Sequence, residues 1–251
     1  FLDQLTLPGE ISAMAYEPGM GYLAVGTSAG TVHLFGSPCV RMALTLRPAL
    51  RVKHILFKSD TYLMICIDEK DNLNVYDLSR RDPHAAAMHG ARRAAPGQTQ
   101  MTNSDAPMRI GIHSARNVVL CAEVTSIHSM LFLGLTDGSV EAYDLERFCG
   151  TQYRIPNLWW NEEEILRRSQ VPNAPSRLHT PLIIDIQTHP RDPGILLLCY
   201  EGGAVIYSIR QSTAIHVFQL RLLPGAPGPV PSAPLEEVWS ERLCPATAIA
   251  W

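Results

Sequence analysis

The chain has 251 residues, of which 46% are hydrophobic and 18% are charged, so it is long enough to bury a sizeable core. Its formal net charge of −3 argues against a dedicated nucleic-acid-binding domain, which normally has a basic stripe. No apolar run approaches the roughly 18–20 residues that a bilayer span requires, and the six cysteines include no C-x-x-C pair. We therefore expect a reduced, cytosolic protein without a transmembrane segment, metal site or cofactor, and without a nucleic-acid partner.

Four stretches of the chain share one order of elements: strand, turn, apolar strand, turn, strand. They cover residues 11–36, 52–79, 124–146 and 181–209. Each consists of short apolar runs separated by Gly, Pro, Asp or Asn. Because Gly accepts the positive φ of a tight hairpin and Pro cannot continue a ladder, this pattern predicts antiparallel meanders.

The last hairpin turn of each stretch falls at Gly30, Asn72, Gly138 and Gly203, at spacings of 42, 66 and 65 residues. A repeat of about 40–45 residues with four strands is typical of a propeller blade. The two longer spacings predict insertions at 80–107 and 148–180. The fold class that follows is all-β, a WD40-type β-propeller with blades at about 11–51, 52–120, 121–181 and 182–245.

Residues 246–251 repeat the pattern of residues 11–16, so we expect a fifth blade to begin at 246. Four consecutive blades form an incomplete ring, and an open ring leaves sheet edges without partners. The chain is therefore expected to be a fragment of a longer protein.

Two short motifs raise the possibility of an enzyme. Residues 26–30 match G-x-S-x-G, the nucleophile elbow of hydrolases, with Ser28 as the nucleophile. That elbow requires a helix after the serine, whereas a β-rich run follows here, in the position of a hairpin. His189 and Asp192 are a second candidate pair, but the Pro and Gly around them favour a turn between strands. We expect no catalytic residue, and we predict that the protein is not an enzyme.

The two predicted insertions differ in character. The first, 80–107, contains four arginines and no sustained periodicity, which is typical of a solvated loop; the alternative is a site for an acidic partner or an anionic lipid surface. The second predicts a short helix at 161–169. Asn161 is suited to the N-cap, and acids precede arginines at i,i+4 spacing.

Two tryptophans precede this helix. Their ordinary role is to pack it onto the propeller, and the alternative is a binding hot spot, because Trp and Arg dominate such sites. The predicted partner-binding residues are Trp159, Trp160, Glu162, Glu163, Arg167 and Arg168.

The blade at 181–209 and the opening of the first blade together resemble one known family. The run P-R-D-x-G at 190–194, followed by paired leucines and Y-E-x-G at 200–203, is similar to the blade motif of the lethal giant larvae/tomosyn family. Residues 15–27 and the proline-rich stretch at 223–234 are also similar to that family. The W-W-containing insertion resembles its fungal members most.

The resemblance implies a parent with two tandem seven-bladed propellers. It implies a cytoplasmic, peripheral plasma-membrane protein of vesicle-mediated transport and cell polarity. It further implies binding of target-membrane SNARE proteins (syntaxins among them), a secretory Rab GTPase and the exocyst. Some members are described as GTPase activators, and no arginine finger with a sequence signature is present here.

The predicted function is therefore a non-enzymatic interaction scaffold in polarised exocytosis, which regulates vesicle docking and fusion. The alternative is a WD40 adaptor of another pathway, such as a ubiquitin-ligase substrate receptor.

Overall fold

The computed structural model describes residues 7, 9–36, 40–81, 107–125, 129–158, 182–201 and 203–219. Within these ranges the chain forms strands joined by turns, and no helix. The sixteen strands of the described part make four antiparallel sheets of four strands each, and every sheet is a simple meander in chain order. The predicted helix at 161–169 lies outside the described residues.

The bounds of the strands follow the repeats. Sheet 1 contains β1 (Ile11–Glu17), β2 (Tyr22–Thr27), β3 (Thr31–Gly36) and β4 (Val40–Thr45). Sheet 2 contains β5 (Val52–Phe57), β6 (Leu63–Asp68), β7 (Asn72–Arg81) and β8 (Pro107–Ser114). Sheet 3 contains β9 (Val119–Thr125), β10 (Met130–Leu135), β11 (Val140–Asp144) and β12 (Cys149–Ile155). Sheet 4 contains β13 (Ile183–Thr188), β14 (Ile195–Tyr200), β15 (Gly203–Ser208) and β16 (Thr213–Gln219).

The chain divides into two compact units. One consists of residues 1–116 with 145–150 and contains sheets 1 and 2; the other consists of 117–144 with 151–251 and contains sheet 4 and most of sheet 3. Each unit has its own apolar core between its two sheets. The second strand of a sheet is the most deeply buried, as in β6 and β14, because it has a neighbour on each side and packing on both faces.

A glycine in each unit lets two sheets approach closely. A Cβ on Gly26 of β2 would lie 2.7 Å from Val52 Cγ1 and 3.0 Å from Ile55 Cδ1. A Cβ on Gly134 of β10 would lie 2.8 Å from Ile183 Cγ2 and 3.3 Å from Ile186 Cδ1. In both units, therefore, the first strand of the later sheet places two branched side chains against a glycine of the earlier sheet.

The third strands show where aromatic side chains replace the tryptophan of the common WD repeat. Tyr76 lies within β7 and Tyr143 lies next to the end of β11; both are almost fully buried, and Asp144 ends its strand. The segment predicted as the second insertion begins with a strand, β12, because C-G-T-Q-Y-R-I alternates polar and apolar residues after the turn.

Candidate functional site

The six predicted partner-binding residues lie outside the described part of the chain. They are Trp159, Trp160, Glu162, Glu163, Arg167 and Arg168. The described part of the chain has three other kinds of candidate: turns, buried polar groups and exposed apolar side chains.

The four predicted turn residues lie in, or at the end of, the connections between second and third strands. Gly30 and Gly138 have φ of 76° and 73°, in the left-handed region that glycine tolerates. In sheet 2 the residue with positive φ is Asp71, at 60°, one position before the predicted Asn72, which is the first residue of β7. Gly203 begins β15 and pairs with Tyr200 of β14.

Charged side chains at two of these turns form ion pairs with residues of neighbouring strands. Lys53 Nζ donates a hydrogen bond to Asp71 Oδ1 at 2.8 Å, and the two side chains form an ion pair. Arg154 Nη2 lies 2.6 Å from Asp137 Oδ2 and donates to Ser139 Oγ at 2.9 Å. These contacts fix the turns and the neighbouring strands, which is a structural role.

Ser28 is not built as a nucleophile elbow. The strand β3 follows its turn at Thr31, and Ser28 Oγ accepts a hydrogen bond from the Glu10 N–H at 3.0 Å. The Ser28 N–H in turn donates to the Glu10 carbonyl at 2.8 Å. The reciprocal pair holds residue 10 against the β2–β3 turn.

His189 and Asp192 organise the turn between β13 and β14. His189 Nδ1 accepts from the N–H groups of Arg191 and Asp192, at 3.2 and 2.9 Å. Asp192 Oδ1 accepts from the Gly194 N–H at 3.0 Å. The Nδ1 nitrogen of His189 is therefore occupied by backbone donors, which is a turn-forming role.

Burial shifts the pKa of several titratable groups in the direction that favours their uncharged forms. Burial raises the pKa of the thiols of Cys66 and Cys121, and because the thiolate is the nucleophile, these cysteines are inert. Burial also raises the pKa of Glu123, although two hydrogen bonds from Thr188 to its Oε1 oppose that effect. Within the described residues, no three His, Cys, Asp or Glu side chains converge as metal ligands.

One sheet face stands out among the exposed surfaces. We call it the sheet-1 outer face, and it consists of Ile11, Met14, Tyr16 and Leu23, with exposures of 57, 65, 64 and 38%. Met14 pairs with Val25 and Tyr16 pairs with Leu23, so these side chains share one face of β1 and β2. Sequence reasoning missed this face, since its residues are of the same types as those of the buried strands.

The outermost strand of sheet 4 is the other apolar surface. Ile215, Val217 and Phe218 of β16 are each about half exposed, and His216 contacts Phe218 edge to face at 4.5 Å. In the described part of the chain, β16 pairs with β15 alone. No helix there has the length and apolarity to span a bilayer.

Comparison with known proteins identifies relatives for most of the chain. A Lethal(2) giant larvae protein homolog of Saccharomyces cerevisiae is 27% identical over 220 residues, which are 88% of this chain and 18% of that protein. The human LLGL scribble cell polarity complex component 2 is 24% identical over 243 residues, or 94% of this chain and 20% of that protein. The chain thus spans about a fifth of the length of these relatives. No family model matches it.

The fold is shared with a much more distant structure. A chain in the crystal structure of a mitotic checkpoint complex superposes with a TM-score of 0.55 at 10% identity, over 83% of this chain and 51% of that one. With the four meander sheets, this confirms the prediction of an all-β, WD40-type propeller fold.

Proposed function

Because this chain belongs to the lethal giant larvae family, we propose that it is part of a non-enzymatic protein-interaction scaffold that acts in cell polarity and polarised exocytosis. One observation above all supports this proposal: the similarity extends over 94% of the chain to a human protein named as a component of the scribble cell polarity complex. The contacts of the turns are in keeping with it, since the polar side chains of three described turns bind backbone groups or side chains of neighbouring strands.

The partners we propose are a target-membrane SNARE, a secretory Rab GTPase and the exocyst. The proposed location is cytoplasmic, with peripheral association at the plasma membrane. The resemblance to the lethal giant larvae/tomosyn family supports these partners. A GTPase-activating role would require an arginine inserted at the nucleotide, and a hydrolysis assay with the recovered Rab tests it directly.

The proposed contact surface is the tryptophan-containing insertion together with loops of the blades. Trp and Arg are the residue types that dominate binding hot spots, and replacing one typically costs about 2 kcal/mol or more, or over tenfold in affinity. Trp159 and Trp160 are therefore the first positions to change.

The test is affinity capture of the tagged full-length protein from detergent-solubilised membrane and cytosol, read by mass spectrometry. We expect a target-membrane SNARE together with a Rab or exocyst subunits. The double variant Trp159→Ala/Trp160→Ala should lower recovery at least about tenfold at an unchanged unfolding temperature. The control Tyr62→Ala, a half-exposed aromatic on another loop, should recover the partners fully.

Two results contradict parts of the proposal. Recovery of cullin or other ligase components in place of SNAREs would support the alternative adaptor function. Full binding of both SNARE and Rab by the folded tryptophan variant would limit these tryptophans to packing.

A further inference from the structure

Two exposed arginines lie close together in the unit that contains sheets 1 and 2. Arg47 is on the loop that joins β4 to β5, and Arg109 is on β8, the outermost strand of sheet 2. Arg109 Nη1 donates to the Arg47 carbonyl oxygen at 3.1 Å and to Asn74 Oδ1 at 3.3 Å. These contacts hold the Arg109 guanidinium against the loop.

The electrostatics of Tyr76 place both positive charges in one patch. Burial raises the pKa of the Tyr76 phenol, and the guanidiniums of Arg109 and Arg47 act in the opposite direction. Because Coulombic energy falls with distance, both guanidiniums lie near this side chain. Asp68 also acts on Tyr76, but its carboxylate accepts from two N–H groups of its own turn, at 2.9 and 3.0 Å. We call the two arginines the Arg47–Arg109 site.

Most donors of this site are free to bind a ligand. The hydrogen bonds of Arg109 involve Nη1, so within the described residues its Nε and Nη2 have no partner. The guanidinium of Arg47 has no hydrogen bond or ion pair there either. The Nε and Nη2 groups of an arginine form a fork that binds a carboxylate or a phosphate through two parallel hydrogen bonds.

An apolar side chain lies next to these donors. Ile112 of β8 is 56% exposed and pairs directly with Asn74 of β7. Directly paired residues of antiparallel strands share one face of the sheet, and the Asn74 amide on that face binds Arg109. The surface therefore has two cations beside one exposed apolar group.

The charge of the site favours a phosphate over a carboxylate. Two neighbouring cations repel each other, so they are neutralised best by a ligand with more than one negative charge. A phosphorylated serine or threonine has a charge of about −1.5 to −2 at pH 7 and three acceptor oxygens, whereas a carboxylate has a single charge.

The surroundings favour a peptide over a membrane. Electrostatic binding to anionic lipids uses clusters of roughly four to eight basic residues, and this site has two. In the described part of the chain, β8 pairs with β7 alone, so its outer edge presents backbone groups that an extended peptide can bind.

We propose that the Arg47–Arg109 site binds a phosphorylated serine or threonine in an extended segment of a partner protein, and that an apolar side chain of the same segment packs on Ile112. At about 3.3 Å per residue, this apolar side chain belongs two or three positions from the phosphorylated residue. The proposal deepens the scaffold function above, and it rests on that function in taking the ligand to be a protein.

Peptide libraries provide the test. The full-length protein is incubated with three random-sequence libraries that differ only in the fixed central residue, which is phosphoserine, glutamate or serine. Retained peptides are identified by mass spectrometry, and affinities are measured by fluorescence anisotropy. We expect phosphoserine peptides to bind at least about tenfold more tightly than their glutamate and serine counterparts, with an apolar residue enriched two or three positions away.

Four variants assign the binding to the named residues. Arg47→Gln and Arg109→Gln should each weaken binding of a selected phosphopeptide at least about tenfold, at an unchanged melting temperature. Arg109→Lys retains the charge without the fork, so it should not restore full affinity. Arg191→Gln removes an exposed arginine from a turn of the other unit, and this control should bind fully.

Equal retention of the phosphoserine and serine libraries would overturn the proposal, as would full binding by either glutamine variant. Arginine-dependent binding to vesicles that contain phosphatidylinositol phosphates, without phosphopeptide binding, would overturn it in favour of a membrane. Phosphopeptide binding that requires Asp82→Asn and Asp105→Asn would overturn it by showing that carboxylates of this chain occupy the site. None of these results changes the outcome of the capture experiment with the tryptophan variant, which tests the scaffold function separately.

Discussion

A single methyl group at position 26 should be enough to disturb the contact between sheets 1 and 2. In Gly26→Ala, the new Cβ would lie 2.7 Å from Val52 Cγ1, 2.8 Å from Val52 Cβ and 3.0 Å from Ile55 Cδ1. Carbon atoms at optimal separation are about 3.5–4.0 Å apart, so the two sheets must separate by several tenths of an ångström. Such overpacking costs about 1–3 kcal/mol.

Part of this cost is offset by the unfolded chain. Replacing glycine with alanine reduces the conformational entropy of the unfolded state and contributes about 0.4–1 kcal/mol of stability. We therefore expect Gly26→Ala to lower the free energy of unfolding by about 1–2 kcal/mol. For a chain of this size that corresponds to roughly 2–8 °C in melting temperature. Urea and thermal unfolding, followed by circular dichroism, measure it.

Two further variants decide whether the named contact is the cause. Val52→Ala removes Cγ1, the atom nearest to the new Cβ, but keeps Val52 Cβ at 2.8 Å, so the double variant should recover part of the loss, with a favourable coupling of at least about 0.5 kcal/mol. Gly194→Ala is the matched control. Its new Cβ would meet the flexible ends of Arg210 and Asp192 at 3.1 Å, so it should cost less. Additive effects of Gly26→Ala and Val52→Ala, or equal losses in both glycine variants, would refute the reasoning.

Two electrostatic predictions concern the other unit, which contains sheet 4 and most of sheet 3. Burial raises the pKa of Glu123 above its usual 4.5, so its ionised carboxylate opposes folding increasingly as the pH rises through and above that value. Glu123→Gln can still accept the hydrogen bonds from Thr188, so in urea titrations between pH 4 and 7 its stability should fall less with pH than that of the unchanged protein. Parallel curves of stability against pH for the two proteins would contradict this prediction. Although partial burial opposes ionisation, Ser139 and Arg154 hold the pKa of Asp137 below its usual value, so the stability it contributes is present at neutral pH and is lost as pH falls. Because the Asp137–Arg154 pair is largely exposed, Arg154→Met should cost under about 1 kcal/mol at pH 7, and a larger loss would show that the pair matters more than an exposed ion pair does.

The blades were predictable because their information is local. The second strand of sheet 4, I-L-L-L-C-Y, is apolar throughout because it is buried on both faces, and the turn before it has Pro and Gly at positions that end a strand. In sheet 2 the sequence has two neighbouring residues, Asp71 and Asn72, that are both acceptable with positive φ, and Asp71 is the one that adopts it. Only the backbone distinguishes them.

The second insertion shows a different limit. Its first residues form β12, the edge strand of sheet 3. An edge strand needs only weak alternation of polar and apolar residues, so its sequence is easily taken for a polar loop. The predicted partner-binding residues follow this strand in the sequence and lie outside the described residues, so their role remains a prediction from residue type and resemblance.

The sheet-1 outer face could not be recognised from sequence for a physical reason. Hydrophobic patterning reports which side chains need burial, and by that measure Met14 and Ile186 are alike. What separates them is whether a second sheet covers the strand, and that depends on contacts between residues far apart in the chain, such as Gly26 with Val52. The exposed pair at residues 11 and 14 therefore gains its meaning only from the buried pairs at 52 and 55 and at 183 and 186. A repeat protein thus provides its own reference state, because the exposure of a side chain in one copy can be judged against the corresponding side chains of the others.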